Sequence, residues 1–517
     1  MNRKGKEKLV FVLAAGLLLL LFCGCAAGIT AYAKVYTSLE ELENRRIGVS
    51  TGTVQALQVE ARFPNAKIYY FSNGVDCLGA MRAGKIDAFA EADALLKYMM
   101  TENPDLTYIE EPLSGKMKVA AAFPKTARGR KLCDQYSEFL VKIKKSGVYD
   151  EVLNTWFGPE ESRRVVPDLN QLPGPNGTLH VAADSSFVPF AYVKDGEVVG
   201  IDVDILVRFC KEYGYNVQIV AMDFAGVLPS IATGKCDMAS GGIAVTPERA
   251  ESVWFSETTY EGESIMAVLK APVKKEKDGI FKSIITSFRK TFLREDRWKL
   301  FLKGTGNTLL ITLLSVLFGT LLGFVVYLLC RKGNVFANKL TAACIWLVEG
   351  MPIVVLLMVL YYIVFRKVGI SGLAVAVISF SLTFGASVYG MLCTGVNAVD
   401  RGQTEAARAL GYTDRMAFFR IVLPQAIQHI MPGYKGQVVA LLKATAVVGY
   451  IAVQDLTKMG DIVRSRTYEA FFPLIAVTCI YFLLGGLIIR VVERLIGKID
   501  PKNRKPEQIL KGVKIHD

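Results

Sequence analysis

The sequence predicts a multidomain chain: an exported α/β portion, then an all-α transmembrane portion of five spans. Three observations lead there. Of 517 residues, 52% are hydrophobic and 21% charged, and the mean hydropathy is +0.33. That excludes a disordered or collagen-like chain and argues against an all-soluble enzyme. Residues 35–272 alternate short apolar strands with helix-period stretches, whereas from residue 305 the apolar runs become long enough to cross a bilayer. The formal charge of +13 fits nucleic acid, anionic lipid or cytoplasmic loops, and only its distribution can choose among them.

The chain starts with Arg3, Lys4, Lys6 and Lys8, followed by an apolar stretch, residues 9–22, and the small-residue pattern Ala31-Tyr32-Ala33. Residues 1–34 therefore read as a signal peptide or signal anchor. Three versions stay open: cleavage after Ala33, lipidation at Cys25 within Gly24-Cys25, or retention of residues 9–33 as a spanning helix. Each places the next segment outside the cytoplasm.

Residues 35–157 and 177–272 are two soluble-type halves. Residues 46–49 and 179–182 read as strands; 132–145 and 203–213 carry apolar residues at helical spacing. The Pro/Gly-rich stretch 158–176, which includes Pro167-Asp168-Leu169, reads as a linker. Cys77, Cys133, Cys210 and Cys236 read as separate buried thiols, with pairing as the alternative in an exported domain. His180, His429 and His516 lie far apart without metal spacing.

Residues 273–304 place Phe281, Ile284, Ile285, Phe288, Phe292 and Leu293 among seven Lys/Arg, the pattern of a helix lying on a membrane surface. A plain solvated helix is the alternative. Spans follow near 308–330, 341–365, 370–394, 437–454 and 471–489. Lys443 lies in the fourth and is expected to face protein or water rather than lipid. With the soluble halves outside, five crossings leave the polar loop 396–435 and the basic tail 499–517 in the cytoplasm. The basic 273–304 segment then lies outside, because segments joined to a large exported domain translocate regardless of charge. The charge clusters sit at membrane borders, so no nucleic-acid partner is expected.

The polar loop reads Glu405-Ala406-Ala407, three residues, Gly411, nine residues, then Ile421-Val422-Leu423-Pro424. Glu-Ala-Ala favours helix, Gly411 permits a sharp turn, and a second short helix is expected to end at Pro424. This spacing resembles the EAA loop of ABC importer permeases. The flanks Arg401-Gly402-Gln403, Gln425-Ala426 and Lys443-Ala444-Thr445 resemble the polar amino acid subfamily, over about 305–498. The resemblance implies that Glu405, Ala406, Ala407, Gly411, Leu423 and Pro424 couple the chain to a cytoplasmic ATPase. No G-x-x-x-x-G-K-[S/T] motif is present. The chain is thus expected to bind no cofactor of its own; a pair of separate ABC ATPase subunits uses the ATP. Five spans imply a second permease chain, in a homodimer.

Residues 177–272 resemble the first lobe of a bilobed periplasmic amino acid-binding protein of the glutamine-binding type (type II). Residues 38–157 resemble its second lobe and C-terminal helices, so the order is reversed. One circularly permuted domain joined through the linker accounts for this, since a linker of this length reaches up to ~60 Å. Two tandem receptors, or halves completing each other across a dimer, are the alternatives.

Carried over from that resemblance, Phe187 and Phe224 sandwich the solute's aliphatic part. Asp184 contacts its side chain, and Arg249 clamps its α-carboxylate with two parallel hydrogen bonds. Backbone groups around Gly242 and Thr53 add hydrogen bonds. Two departures concern the cleft. Ala244 replaces a hydroxyl residue, and Ala92 replaces the aspartate that meets the solute's ammonium. Glu91 and Asp93 are adjacent, but a one-residue step in a strand points to the opposite face, so either reaches the solute only if the strand ends early. A third departure, Glu349, replaces a common permease arginine.

The expected function is an importer subunit in the cell membrane, joining an extracytoplasmic receptor for a polar amino acid or related carboxylate to a permease driven by ATP. A ligand-gated channel or a sensor with a degenerate receptor is the alternative, but no TVGYG-type filter loop is present. An enzyme on the same fold would need a proton-transfer group in the cleft, with Glu91 and Asp93 the nearest.

Overall fold

The computed structural model describes residues 35–497 apart from 159, 167–171, 173, 195, 271–279, 332, 334, 367, 470. The export segment 1–34, the tail 499–517 and the 273–279 end of the amphipathic segment lie outside the described residues.

The first half begins with β1 (Arg46–Ser50), α1 (Val54–Arg62), β2 (Lys67–Phe71), α2 (Gly74–Arg82), β3 (Ala88–Ala92), α3 (Asp93–Glu102) and β4 (Leu106–Tyr108). Side-chain caps start the first two helices. Thr53 Oγ1 accepts from Ala56 N–H at 3.4 Å, and Asn73 Oδ1 accepts from Asp76 N–H at 3.0 Å. β5 (Met117–Pro124), α4 (Ala127–Ser146) and α5 (Val148–Phe157) complete this half.

The second half contains β6 (Thr178–Asp184), β7 (Ser186–Phe187), β8 (Ala191–Lys194), β9 (Glu197–Val199), α6 (Ile201–Tyr213), β10 (Asn216–Met222), α7 (Phe224–Ala232), β11 (Met238–Ala239), α8 (Pro247–Ser252), β12 (Val253–Gly262) and β13 (Ser264–Leu269).

The halves interlock. One five-stranded sheet runs β2-β1-β3-β13-β4, and the other runs β10-β6-β11-β5-β12. These sheets define lobe A and lobe B. Each half gives the other lobe's sheet at least one strand, so the sequence halves at 157 and 177 do not coincide with the lobes. The chain crosses between lobes at 109–116 and again at Glu263. Packing confirms the exchange. Trp156 of α5 is fully buried and its Nε1 donates to Asp204 Oδ2 of α6 at 3.0 Å. Tyr136, Phe139 and Phe209 pack edge-on and tilted between α4 and α6. The described part of the linker is packed rather than loose. Val166 is buried, and Arg164 donates to Gly158 O at 2.6 Å. Cys77, Cys133, Cys210 and Cys236 are free and buried.

The all-α portion follows: α9 (Ile280–Phe288), α10 (Trp298–Cys330), α11 (Val335–Glu349), α12 (Ile353–Met358), α13 (Gly372–Asn397), α14 (Arg401–Ala409), α15 (Asp414–Ala417), α16 (Leu423–Ala444), α17 (Leu456–Thr467) and α18 (Phe471–Gly497). Among the described residues, three helices are long and apolar enough to cross a membrane, or up to five if each of two bent pairs is one span.

Three expectations change. The 273–304 segment is not one surface helix separate from the first span. Its described part breaks at Glu295 and Asp296, both with positive φ, and α10 begins at Trp298 rather than 305. The second span is bent by 105° between Glu349 and Ile353. Pro352 lacks an N–H and disfavours helix at the residue before it, which breaks the run. Third, Pro424 does not end a helix. The chain stays helical from Asp414 through a π-type stretch, Phe418–Val422, into α16, with Pro424 in its first turn. A register slip just before a proline accommodates its missing donor.

α10 and α13 cross closely at Gly319, Gly323 and Gly385; a Cβ at Gly319 would stand 2.9 Å from Ser381 O. Small residues four apart permit such an approach in a membrane. Lys443, expected to face an interior, is exposed on the surface of this chain near the end of α16.

Candidate functional site

A cleft between the lobes gathers all six solute candidates: Thr53 from lobe A, and Asp184, Phe187, Phe224, Gly242 and Arg249 from lobe B. Arg249 follows the capped start of α8. Its Nη1 donates to Ala244 O at 2.9 Å, and its Nη2 reaches across the cleft to Gly52 O at 2.9 Å. Its guanidinium carbon lies 5.7 Å from the Phe224 ring centroid. No carboxylate pairs with it among the described residues, and burial lowers its pKa. A half-buried cation held only by carbonyls suits an incoming carboxylate.

Phe187 stacks on Phe190 with ring centroids 5.3 Å apart. Gly242 has a φ of +75°, and any Cβ there would enter the Phe187 ring. Backbone hydrogen bonds to solute were expected around this position, but the Gly242 N–H is already taken: it donates to Asp202 Oδ2 at 3.1 Å. The Thr53 N–H is likewise taken by Ser50 O at 3.4 Å. These two positions shape the cleft instead. Asp184 Oδ1 accepts from Ser186 N–H at 3.0 Å and Ser186 Oγ at 2.6 Å.

Sequence reasoning put Ala92 in the cleft, with Glu91 and Asp93 reaching it if the strand ends early, and missed Tyr260, Ser465 and Tyr468 of the wall and Asp202 behind it. β3 ends at Ala92 and α3 starts at Asp93, so strand alternation stops there, and Glu91, Ala92 and Asp93 all line the cleft. Glu91 is buried, which pushes its carboxyl up to about 7. Its Oε1 accepts from Ala92 N–H at 2.9 Å, and no cation pairs with it among the described residues. Asp93 pairs with Lys97 at 3.2 Å. Asp202 also takes the Gly241 N–H, at 2.7 Å, and burial raises its pKa to about 6. A carboxylate inside the apolar run Ile201–Tyr213 was the available signal for it. Tyr260, Ser465 and Tyr468 complete the wall.

At the far end of the spans, the Glu405–Gly411 segment forms α14 and its turn. Asp400 caps α14, accepting from Gly402 N–H at 2.6 Å. Gly411 ends it with a φ of +81°. Its N–H donates to Arg408 O at 2.9 Å and the Tyr412 N–H to Ala407 O at 3.1 Å, the paired bonds of a left-handed helix cap. Ala407 is buried, whereas Glu405, Ala406, Leu410 and Gly411 are exposed; Leu410 is 79% exposed. Phe418 anchors the loop: it stacks on Tyr327 at 6.1 Å, and Arg331 lies 3.7 Å over its ring. Leu423 and Pro424 start α16 rather than joining the exposed knob.

Residues 315–501 match the family described as the inner membrane component of binding-protein-dependent transport systems, and residues 179–348 match the bacterial extracellular solute-binding proteins of family 3. GlnP of Rickettsia bellii, assigned to a glutamine transport system, is 35% identical over 38% of this chain and 90% of its own length. The L-cystine permease TcyL and the arginine permease ArtQ of Bacillus subtilis are 32% and 33% identical over 37% and 38% of this chain and 84% and 93% of their own lengths. The chain belongs to the family of ABC transporter permeases, fused to a solute-binding domain.

In this fused permease the two parts touch extensively. Lys458 of α17 pairs with Asp223 of lobe B, and Arg464 pairs with Asp76 of lobe A at 2.9 Å. Arg366 Nε donates to Thr233 O at 2.8 Å, and Tyr362 Oη donates to Gly226 O at 3.4 Å. Lys290 pairs with Glu102 at 3.2 Å. The receptor therefore meets the permease at the α10, α13 and α18 N-terminal ends, and the Glu405–Gly411 loop meets the opposite ends.

Proposed function

We propose that this chain is the membrane subunit of an ABC importer that captures an amino acid outside the cell and passes it inward through its own spans. One observation carries the reading: the solute cleft and the exposed Glu405–Gly411 loop lie at opposite ends of the same helices. A receptor outside then requires the loop inside, where a pair of separate ATPase subunits docks on Glu405, Ala406 and Leu410. ATP-driven closure of that pair reorients the spans, and the receptor, tethered to its permease, meets it at millimolar effective concentration.

Arg249 takes the solute's carboxylate, Phe187 and Phe224 its aliphatic part, and Glu91 its ammonium in place of the missing aspartate at Ala92. Glutamine, arginine and cystine are the first candidates, from the relatives. The interlocked strands and a solute-binding match that starts at 179 support one circularly permuted receptor within one chain. Lys443 supports a pair of permease chains: a cation exposed on a spanning helix is costly against lipid, and a facing copy removes it from lipid.

The test is uptake by the chain reconstituted with its ATPase in lipid vesicles. Labelled glutamine, arginine or cystine should accumulate only with ATP. Accumulation without ATP, or a current on solute addition, rejects the importer.

A further inference from the structure

The solute cleft is finished by the membrane half of the chain. Ser465 and Tyr468 line it beside Glu91, Asp184 and Arg249. Both stand at the end of α17, which is held against both lobes by Arg464–Asp76 and Lys458–Asp223. The Arg466 guanidinium adds a third clamp, 4.6 Å over the Tyr192 ring of lobe B. Tyr468 is only 4% exposed, and its ring sits in the hydrophobic core that both lobes share. Its backbone is left-handed, with a φ of 54°, and its N–H donates to Arg464 O at 2.9 Å. The side chain is thus turned out of the helix path and into the receptor.

Its hydroxyl has no hydrogen-bond partner among the described residues. A buried O–H left unpaired is costly, so an unpaired one on a residue that lines the cleft marks a place that a ligand completes. Ser465 Oγ donates to Ile462 O at 2.8 Å and keeps its acceptor side. The pair offers one donor and one acceptor.

We propose that Tyr468, assisted by Ser465, is a solute-contacting residue supplied by the permease: its O–H donates to a polar group of the amino acid held between the lobes. This rests on the amino acid reading above. Full solute affinity then belongs to the docked chain. α17 packs on α10 and α18, so a movement of the spans that withdraws it removes Tyr468 from the solute and loosens the receptor's hold. By linkage, solute binding favours the state in which α17 is seated.

The test is calorimetric titration of the purified full chain in lipid nanodiscs with glutamine, arginine and cystine. For whichever binds the wild type, Tyr468→Phe, which removes only the hydroxyl, should raise Kd ~tenfold. Ser465→Ala should raise it severalfold. The unfolding temperature without solute should not fall in Tyr468→Phe, since an unpaired hydroxyl is lost and the ring remains; this separates a lost contact from a damaged fold. A wild-type chain that binds with Tyr468→Phe at unchanged Kd overturns this proposal and leaves the amino acid reading standing. A wild-type chain that binds none of the three overturns both.

Discussion

At the residue scale, the proposed solute contacts rest on Arg249 and Glu91, which face the cleft from opposite lobes. Arg249 donates from each of its two terminal guanidinium nitrogens to a carbonyl, Ala244 O and Gly52 O. A solute carboxylate replaces neutral acceptors with a charged one, and hydrogen bonds to charged groups contribute ~1.5–3 kcal/mol. Arg249→Ala should therefore raise Kd by ~10- to 100-fold in titrations on the full chain. Arg249→Lys should recover little, because a lysine cannot present two parallel donors. Glu91 predicts a pH dependence. Burial raises its carboxyl from 4.5 to about 7, so its contribution to stability is complete below 4.5 and is lost as pH rises through 7. That displacement corresponds to ~3 kcal/mol at most. Thermal unfolding between pH 4.5 and 7.5 should show wild-type stability falling relative to Glu91→Gln. Glu91→Gln should also bind amino acids no better than their deaminated analogues. Arg249, Phe187 and Phe224 were legible in the sequence because their motif spacing survives. Glu91 was legible only conditionally, as a residue that reaches the cleft if the strand ends early, because the end of β3 at Ala92 depends on where α3 starts.

At the element scale, the proposed coupling falls on the short helices α14 and α15 and the turn between them. α14 ends in a left-handed cap at Gly411, where a side chain is disfavoured by ~1–2 kcal/mol. Nothing crowds that position. Gly411→Ala should thus leave solute binding unchanged while lowering ATP-driven uptake severalfold, as read by vesicle accumulation beside titration. Its turn was legible from one glycine at the right spacing. The role of Pro424 was not, since proline ends helices and also starts them, and only the π-type stretch before it decides which. α17 was hidden more deeply. Its sequence, Leu456–Thr467, falls between the fourth and fifth expected spans and carries no motif, yet Lys458 and Arg464 find Asp223 and Asp76 more than 200 residues away.

At the scale of the whole molecule, the chain is a vertical relay with a receptor at one end and a loop at the other. A single cysteine at Leu410, which is 79% exposed, should be labelled in oriented membrane vesicles only from the cytoplasmic face. A cysteine at Leu57, 54% exposed on lobe A, should be labelled only from the opposite face. Cys344 is exposed and is replaced by serine in both variants. Labelling of both from one face contradicts the relay. The interlocking sheets make the receptor one folding unit. β5 and β13 each sit in the sheet begun by the other half, so truncation at the linker leaves both lobes incomplete.

The sequence by itself determined the division of labour: an α/β receptor, a five-span permease and an EAA loop, each written in local signals of periodicity, hydropathy length or motif spacing. The reversed order of the receptor halves was also read from it, and stands as part of the proposed function. Tertiary structure alone decided the strand exchange between lobes, the seating of α17 between them, and the entry of Ser465 and Tyr468 into the cleft. The physical reason is the same in each case. Periodicity reports which face of an element is apolar, and it is silent on which distant element covers that face or pairs with its charges.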